Sequence, residues 1–170
     1  MQLVYWYIFW IVILIIAILL VSFPGWGRCE GWFQRKLIKN PDVRWLYIWS
    51  GIFILLGAVG YLGDPNRGVE VPEQNTNALW QSSYRFLYGF LLVAIFLWWF
   101  AFFGGRNPAV AIIAGLFGAV LAASLAFLVP QWLGCVGYII ISIWMLLITV
   151  YSFQITQLNL ENPNCVIRFF

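Results

Sequence analysis

The sequence is rich in aromatic side chains, whose rings can stack on flat, apolar molecules. Residues 96–108 read FLWWFAFFGGRNP, and the 170-residue chain contains 11 Trp, 8 Tyr and 15 Phe. Rings near the ends of apolar segments are explained by anchoring at a membrane surface. Trp98, Trp99 and Trp144 lie inside such segments instead. Rings in those positions either fill space between helices or line a cavity that stacks on a flat, apolar ligand.

Residues that could make or break bonds are sparse. The chain has no histidine, and its cysteines, Cys29, Cys135 and Cys165, lack a C-x-x-C spacing, which argues against thiolate or imidazole metal sites. A nucleophilic serine, cysteine or threonine would need a base within reach, and only loop carboxylates could supply one. Glycine-rich phosphate loops are also missing from the sequence. We therefore expect no catalytic residue, no metal site and no enzyme activity.

The composition predicts an integral membrane protein. Hydrophobic residues make up 64% of the chain and charged residues 9%, against about 45–50% and about 25% in ordinary soluble domains. Apolar stretches of about 20 residues, each long enough to cross a bilayer, are separated by glycine, proline and polar residues. We expect one all-α polytopic domain over residues 1–170, a bundle of five transmembrane helices at about 3–23, 45–62, 84–103, 109–129 and 133–157.

The basic residues predict how the chain is oriented. Loop 24–44 and the other segments on its side of the membrane carry seven of the nine, and the opposite side carries Arg67 and Arg85. The positive-inside rule then places loop 24–44 and the C-terminus on a cytosol-like or matrix-like side. The membrane would be mitochondrial in a eukaryote and the plasma membrane in a bacterium. The same rule accounts for the net charge of +3, so no nucleic-acid partner is implied.

Two further patterns concern the spans themselves. No charged residue lies in the middle of a predicted span, which argues against channels, pumps and coupled transporters. The fourth span carries small residues at every fourth position, a spacing that lets helices approach closely in lipid. The close neighbour could be another helix of the same chain or a second copy in a homodimer. These residues are Ala111, Gly115, Ala119 and Ala123.

Three segments together resemble one known family. They are PDVRWLYIWSGIFILLGAVGYL from Pro41, LYGFLLVAIFLWWFAFFGGRNPAVA from Leu87 and IWMLLITVYSFQITQLN from Ile143. In order and spacing they are similar to the aromatic-rich motifs of the tryptophan-rich sensory protein and translocator protein family (TspO). That resemblance covers roughly residues 41–159. It implies five membrane helices around a pocket, with loop 24–44 as a lid or interfacial segment.

The resemblance also implies a ligand and the residues that hold it. Ligands of a tetrapyrrole, sterol-like or lipid type would be bound for sensing or transfer, without covalent chemistry. Indole rings would stack on the ligand, tyrosine hydroxyls would bond to it, and basic side chains at the rim would meet its carboxylates. The expected ligand-binding residues are Trp45, Trp49, Phe53, Tyr88, Trp98, Trp99, Trp144 and Tyr151. The expected rim charges are Arg35, Lys36 and Lys39.

Departures from the family pattern support a second hypothesis. Ile95 stands where the family usually has asparagine, and Trp99 and Phe100 replace a Ser-Pro pair. In the last span Ser152 takes the place of another asparagine. The replacements at Ile95, Trp99 and Phe100 are what a pocket filled with side chains would require, and a core packed to interior density has no room for a porphyrin. The alternative function is a structural, accessory subunit of a larger membrane complex.

Overall fold

Helices are the regular structure of the described residues. A computed structural model describes residues 2–22, 43–64, 78–104 and 108–159, and no β-strand occurs in those ranges. A π-helical turn, Phe100–Gly104, continues the third helix. The all-α prediction is confirmed for this part of the chain. The helices are α1 (Gln2–Ser22), α2 (Val43–Gly63), α3 (Ala78–Trp99), α4 (Pro108–Leu128) and α5 (Trp132–Asn159).

Three of the helices are long and apolar enough to cross a membrane. The spanning segments are Ser83–Phe102, Ala109–Leu128 and Trp132–Gln157. Within the described part of the other two helices, the apolar segments Val4–Leu19 and Tyr47–Gly63 are shorter. The chain therefore has the character of a membrane protein. The membrane crossing of α1 and α2, and with it the count of five spans, stays a prediction.

The helices begin and end at residues that favour the start or the end of a helix. Pro108 occupies the first position of α4, where a missing backbone N–H has no cost, and Pro130 follows the end of that helix. The third helix begins at Ala78, although the sequence predicted a start near residue 84. The prediction assigned its first turns to a polar loop, but alanine and leucine at its start favour a helix. As a result, Arg85 lies about two turns inside α3.

The helices close into a ring around the core. Contacts lead from α1 to α2, then to α5, α4 and α3, and from α3 back to α1. The most extensive contact joins α4 to α5, which a short connection holds antiparallel. Each helix therefore buries one side against two neighbours. The opposite sides carry exposed apolar residues, such as Ile54, Ile113 and Phe127, as expected for helices that face lipid.

Small residues on α4 let α5 and α3 approach closely. A Cβ atom at Gly115 would collide with the hydroxyl of Thr149, and one at Gly118 would collide with the end of Met145. In addition, the Ser142 hydroxyl of α5 donates to the Ala119 carbonyl of α4 at 2.9 Å. The predicted small-residue face is thus used for packing inside the chain. Ala111, Gly115 and Ala119 are buried there, and Ala123 is partly buried.

Candidate functional site

Seven aromatic residues from three helices meet in what we call the aromatic cluster. Trp49 of α2 lies at its centre. The centroid of its ring is 5.6 Å from that of Trp98, 5.2 Å from that of Trp99 and 5.6 Å from that of Trp144. The ring planes of Trp49 and Trp98 are stacked at 28°, and the other two contacts are edge-on. The cluster consists of Trp49, Phe53, Trp98, Trp99, Phe102, Trp144 and Tyr151.

Trp98 is fixed in place on several sides. Its ring stacks on Phe102 with centroids 5.1 Å apart and planes 10° apart. Phe102 belongs to the π-helical turn, a local geometry that redirects side chains and is frequent at functional sites. The indole N–H of Trp98 donates to the hydroxyl oxygen of Ser152 at 3.0 Å, and that hydroxyl donates to the Ile148 carbonyl at 2.7 Å. Ser152 therefore connects the aromatic cluster to the backbone of α5.

The rings of the cluster differ in how accessible they are. Trp98 is 0% exposed and Trp49 is 2% exposed, whereas Trp99 and Trp144 are only partly buried. A ligand that approaches this cluster would meet the partly buried pair first. Trp49 also carries a buried indole N–H for which the described residues supply no hydrogen-bond acceptor. An unmatched buried donor costs about 1–3 kcal/mol, so such a group favours the arrival of an acceptor.

The structure brings together most of the predicted ligand-binding residues. Phe53 lies 5.6 Å from Trp49, and Tyr151 lies 5.9 Å from Phe102, centroid to centroid. Tyr88 is about 15 Å further along α3 from Trp98, where its hydroxyl donates to the Leu56 carbonyl at 3.1 Å. The rest of the predicted set lies outside the described residues, namely Arg35, Lys36, Lys39 and the side chain of Trp45.

A second cluster, which the sequence analysis missed, lies at the opposite end of the bundle. Asp64 follows the last residue of α2, and its side chain is fully buried. Its carboxylate accepts a hydrogen bond from the Tyr7 hydroxyl at 2.7 Å and another from Arg85 Nε at 2.9 Å. The guanidinium also lies 5.9 Å from the Trp6 ring centroid, within range of a cation–π contact. We call Tyr7, Asp64, Arg85 and their tyrosine neighbours the polar cluster.

Those neighbours extend the polar cluster to a fourth helix, α5. The hydroxyls of Tyr84 and Tyr138 are 2.6 Å apart, and Tyr84 donates to the carbonyls of Val59 and Gly60 at 3.1 and 2.9 Å. Gly60 lies so close to Tyr7 and Tyr88 that a Cβ atom there would be 2.7 and 2.8 Å from their rings. The cluster thus joins α1, α2, α3 and α5 through hydrogen bonds.

One signal in the sequence could have revealed the polar cluster. An ionisable residue within a membrane helix is expensive and is usually paired, and Arg85 is such a residue once α3 begins at Ala78. The sequence predicted that the third helix starts near residue 84. Arg85 was therefore expected at the end of a span, where a cation can contact water. Asp64 lies beyond the predicted end of the second helix at residue 62, so its burial was not expected either. Because the start of α3 was predicted too late in the chain, the sequence analysis did not predict the ion pair.

Comparison of the chain with models of known protein families, with curated proteins and with solved structures yields no match. Fold and site by themselves define a helical protein of membrane character, with an aromatic cluster at one end of its bundle and a buried ion pair at the other.

Proposed function

We propose that this chain is a TspO-like membrane protein that binds a flat, apolar ligand of tetrapyrrole or sterol-like type at the aromatic cluster. The cluster draws its rings from α2, α3 and α5. It lies at the end of the bundle where α2 begins and α3 ends. An aromatic site on the central side of several helices is a common setting for apolar ligands.

The observation that carries the proposal is the buried indole N–H of Trp49. This donor has no acceptor among the described residues, although the ring around it is in close contact with three other indoles. A carboxylate or carbonyl oxygen of a bound ligand would satisfy it. The ligand body would lie against Trp99 and Trp144, whose rings are partly accessible. Stacking and one hydrogen bond would then hold the ligand, and no covalent bond would form or break.

The test is a binding titration of the full-length protein in detergent. Protoporphyrin IX is added, and its Soret absorbance and the tryptophan fluorescence are followed to saturation. Trp49→Phe removes the N–H donor and Trp144→Phe removes an indole face. Each should weaken binding about threefold to tenfold, the range expected for loss of one aromatic contact or one hydrogen bond.

The matched control is Trp132→Phe. This tryptophan is 72% exposed and lies in the first turn of α5, remote from the aromatic cluster. Its replacement should leave the dissociation constant unchanged. Absence of saturable binding, or equal weakening by Trp49→Phe and Trp132→Phe, would overturn the proposed ligand site.

A second candidate function is the structural one, in which the site is filled and the chain acts as an accessory subunit of a larger membrane complex. The observation that favours it is the complete burial of Trp98, since a ring with no accessible face cannot stack on a ligand in this conformation. This alternative predicts that wild-type protein does not bind protoporphyrin. It further predicts that Trp99→Ala creates saturable binding, because the deletion opens a cavity beside Trp49 and Trp98.

A further inference from the structure

A groove on the outside of the bundle runs between α1 and α3. Its volume is about 520 Å³, within the usual range of small-ligand sites. From α1 it is lined by Trp6, Trp10 and Ile13, among others, and from α3 by Gly89, Phe90 and further apolar residues. Several lining side chains are exposed, so the groove opens towards the surroundings of the protein. It is separate from the aromatic cluster, and the inference drawn from it does not depend on the proposed function.

The length of the groove matches the thickness of one leaflet. On α3 the lining residues extend from Arg85 to Phe96, which corresponds to about 16 Å at about 1.5 Å per residue. Half of a hydrocarbon core of about 30 Å is about 15 Å. The stretch Ser83–Phe102 is itself long and apolar enough to span a membrane. With Arg85 at the interface, the rest of the groove would reach to about the middle of the bilayer.

Charge is confined to one end of the groove. Of the described residues that line it, Arg85 is the only charged one. The side chain of Asp64, its ion-pair partner, is fully buried, whereas that of Arg85 is 37% exposed. The carboxylate thus lies behind the guanidinium and the cationic side faces outward. Arginine has five N–H donors, and two of them point towards Asp64, at 2.9 and 3.5 Å.

We propose that this groove binds an acidic phospholipid, with one acyl chain lying between α1 and α3 and the phosphate on Arg85. The apolar lining suits the chain, and a guanidinium recognises phosphate through paired N–H donors. The contact with Asp64 orients the guanidinium, and the Trp6 ring lies beside it at 5.9 Å. An acidic lipid is favoured over a zwitterionic one because its headgroup brings no cation to oppose Arg85.

Gly89 gives the groove its depth and offers a clean test. A Cβ atom at Gly89 would meet no atom within 4 Å, so Gly89→Leu would fill the groove without forcing the helices apart. Gly51 on α2 also has no atom within 4 Å of such a Cβ and does not line the groove. Gly51→Leu is therefore a matched control for helix propensity and added apolar surface.

The experiment uses the full-length chain in phosphatidylcholine vesicles that contain a trace of spin-labelled lipid. Electron paramagnetic resonance measures the motionally restricted fraction, first with labelled phosphatidylglycerol and then with labelled phosphatidylcholine. Wild type and Gly51→Leu should prefer phosphatidylglycerol by about twofold to fivefold, the range set by a partly exposed charge pair. Gly89→Leu should lose that preference. The double variant Asp64→Asn with Arg85→Gln should lose it as well but keep the restricted phosphatidylcholine signal.

Three results would overturn the proposal. The first is an equal affinity of wild type for the two lipids. The second is a preference for phosphatidylglycerol that Gly89→Leu leaves intact. That result would assign the preference to the basic residues of segment 24–44 and not to the groove. The third is a decrease in oligomeric mass by light scattering in Gly89→Leu but not in Gly51→Leu, which would show that the groove holds a second copy of the chain. Thermal unfolding of both glycine variants confirms that each is folded.

Discussion

The aromatic cluster and the polar cluster occupy opposite ends of the same bundle and use different interactions. At one end, indole and phenyl rings contact each other, and the hydrogen bond from Trp98 to Ser152 fixes the Trp98 ring. At the other end, an ion pair and a set of tyrosine hydroxyls connect four helices. Ring contacts tolerate small displacements, whereas buried charges do not, because an unpaired charge in a dry site is very costly. We infer that the polar cluster anchors the bundle and that the aromatic cluster is the end that can adjust.

The largest effect is expected from breaking the ion pair. Asp64→Ala removes the acceptor of both Tyr7 and Arg85, and we expect unfolding to become easier by about 2–4 kcal/mol, less than for a fully buried pair because Arg85 is partly exposed. Thermal unfolding in detergent measures this. Adding Arg85→Gln to a milder Asp64→Asn variant should recover part of the loss. Equal stability of Asp64→Ala and the surface variant Ser124→Ala would contradict the anchoring role.

The next effect comes from forcing α4 away from its neighbours. Gly115→Ala places a methyl group against the Thr149 hydroxyl and at 3.5 Å from the Trp98 ring. Overpacking of this kind costs about 1–3 kcal/mol. A methyl group at Gly89 would meet no atom within 4 Å, so Gly89→Ala should leave the stability unchanged or raise it slightly. Unfolding temperatures of the two variants, measured side by side, test the close packing of α4. A Gly115→Ala variant as stable as Gly89→Ala would contradict it.

A smaller effect is expected within the aromatic cluster. Ser152→Ala leaves the indole N–H of Trp98 without the acceptor that it has at 3.0 Å, which should cost about 1–2 kcal/mol. A double-mutant cycle with Trp98→Phe isolates the hydrogen bond from the packing. If the effects of the two substitutions are additive, the bond contributes nothing. Near-ultraviolet circular dichroism shows in parallel whether the rings lose their fixed arrangement.

The smallest effect is expected at the edge of the polar cluster. Tyr84→Phe removes a hydroxyl that bonds to two backbone carbonyls and to Tyr138. We expect a loss of about 0.5–1.5 kcal/mol, since the carbonyls keep other interactions in their helix. Tyr5→Phe is the control because Tyr5 is 63% exposed, and it should leave the unfolding temperature unchanged. An equal loss of stability in both variants would show that the hydrogen bonds of Tyr84 do not stabilise the bundle.

Much of the fold was predictable from hydropathy and from residues that end helices. Pro108 and Pro130 bound α4, and the predicted limits of the first, second, fourth and fifth helices differ little from those observed. The predicted start of α3 was wrong because the polar residues Gln81, Ser82 and Ser83 separate its first turn from the apolar stretch that follows. The gathering of Trp49, Trp98 and Trp144 was expected from the family resemblance and was found. The Asp64–Arg85 pair was not expected, since its members are 21 residues apart, one just after the end of α2 and the other inside α3.

The sequence alone determined the helical class and the membrane character, because both depend on the composition of contiguous segments, and such segments must satisfy their backbone hydrogen bonds internally in lipid. It also determined that aromatic residues and small residues lie in the middle of helices and not only at their ends. The packing of the helices determines which rings are buried and which are accessible, that Arg85 pairs with Asp64, and that Gly89 lies in a groove. Those features depend on the relative rotation of packed helices, and that rotation is set by contacts between residues far apart in the chain.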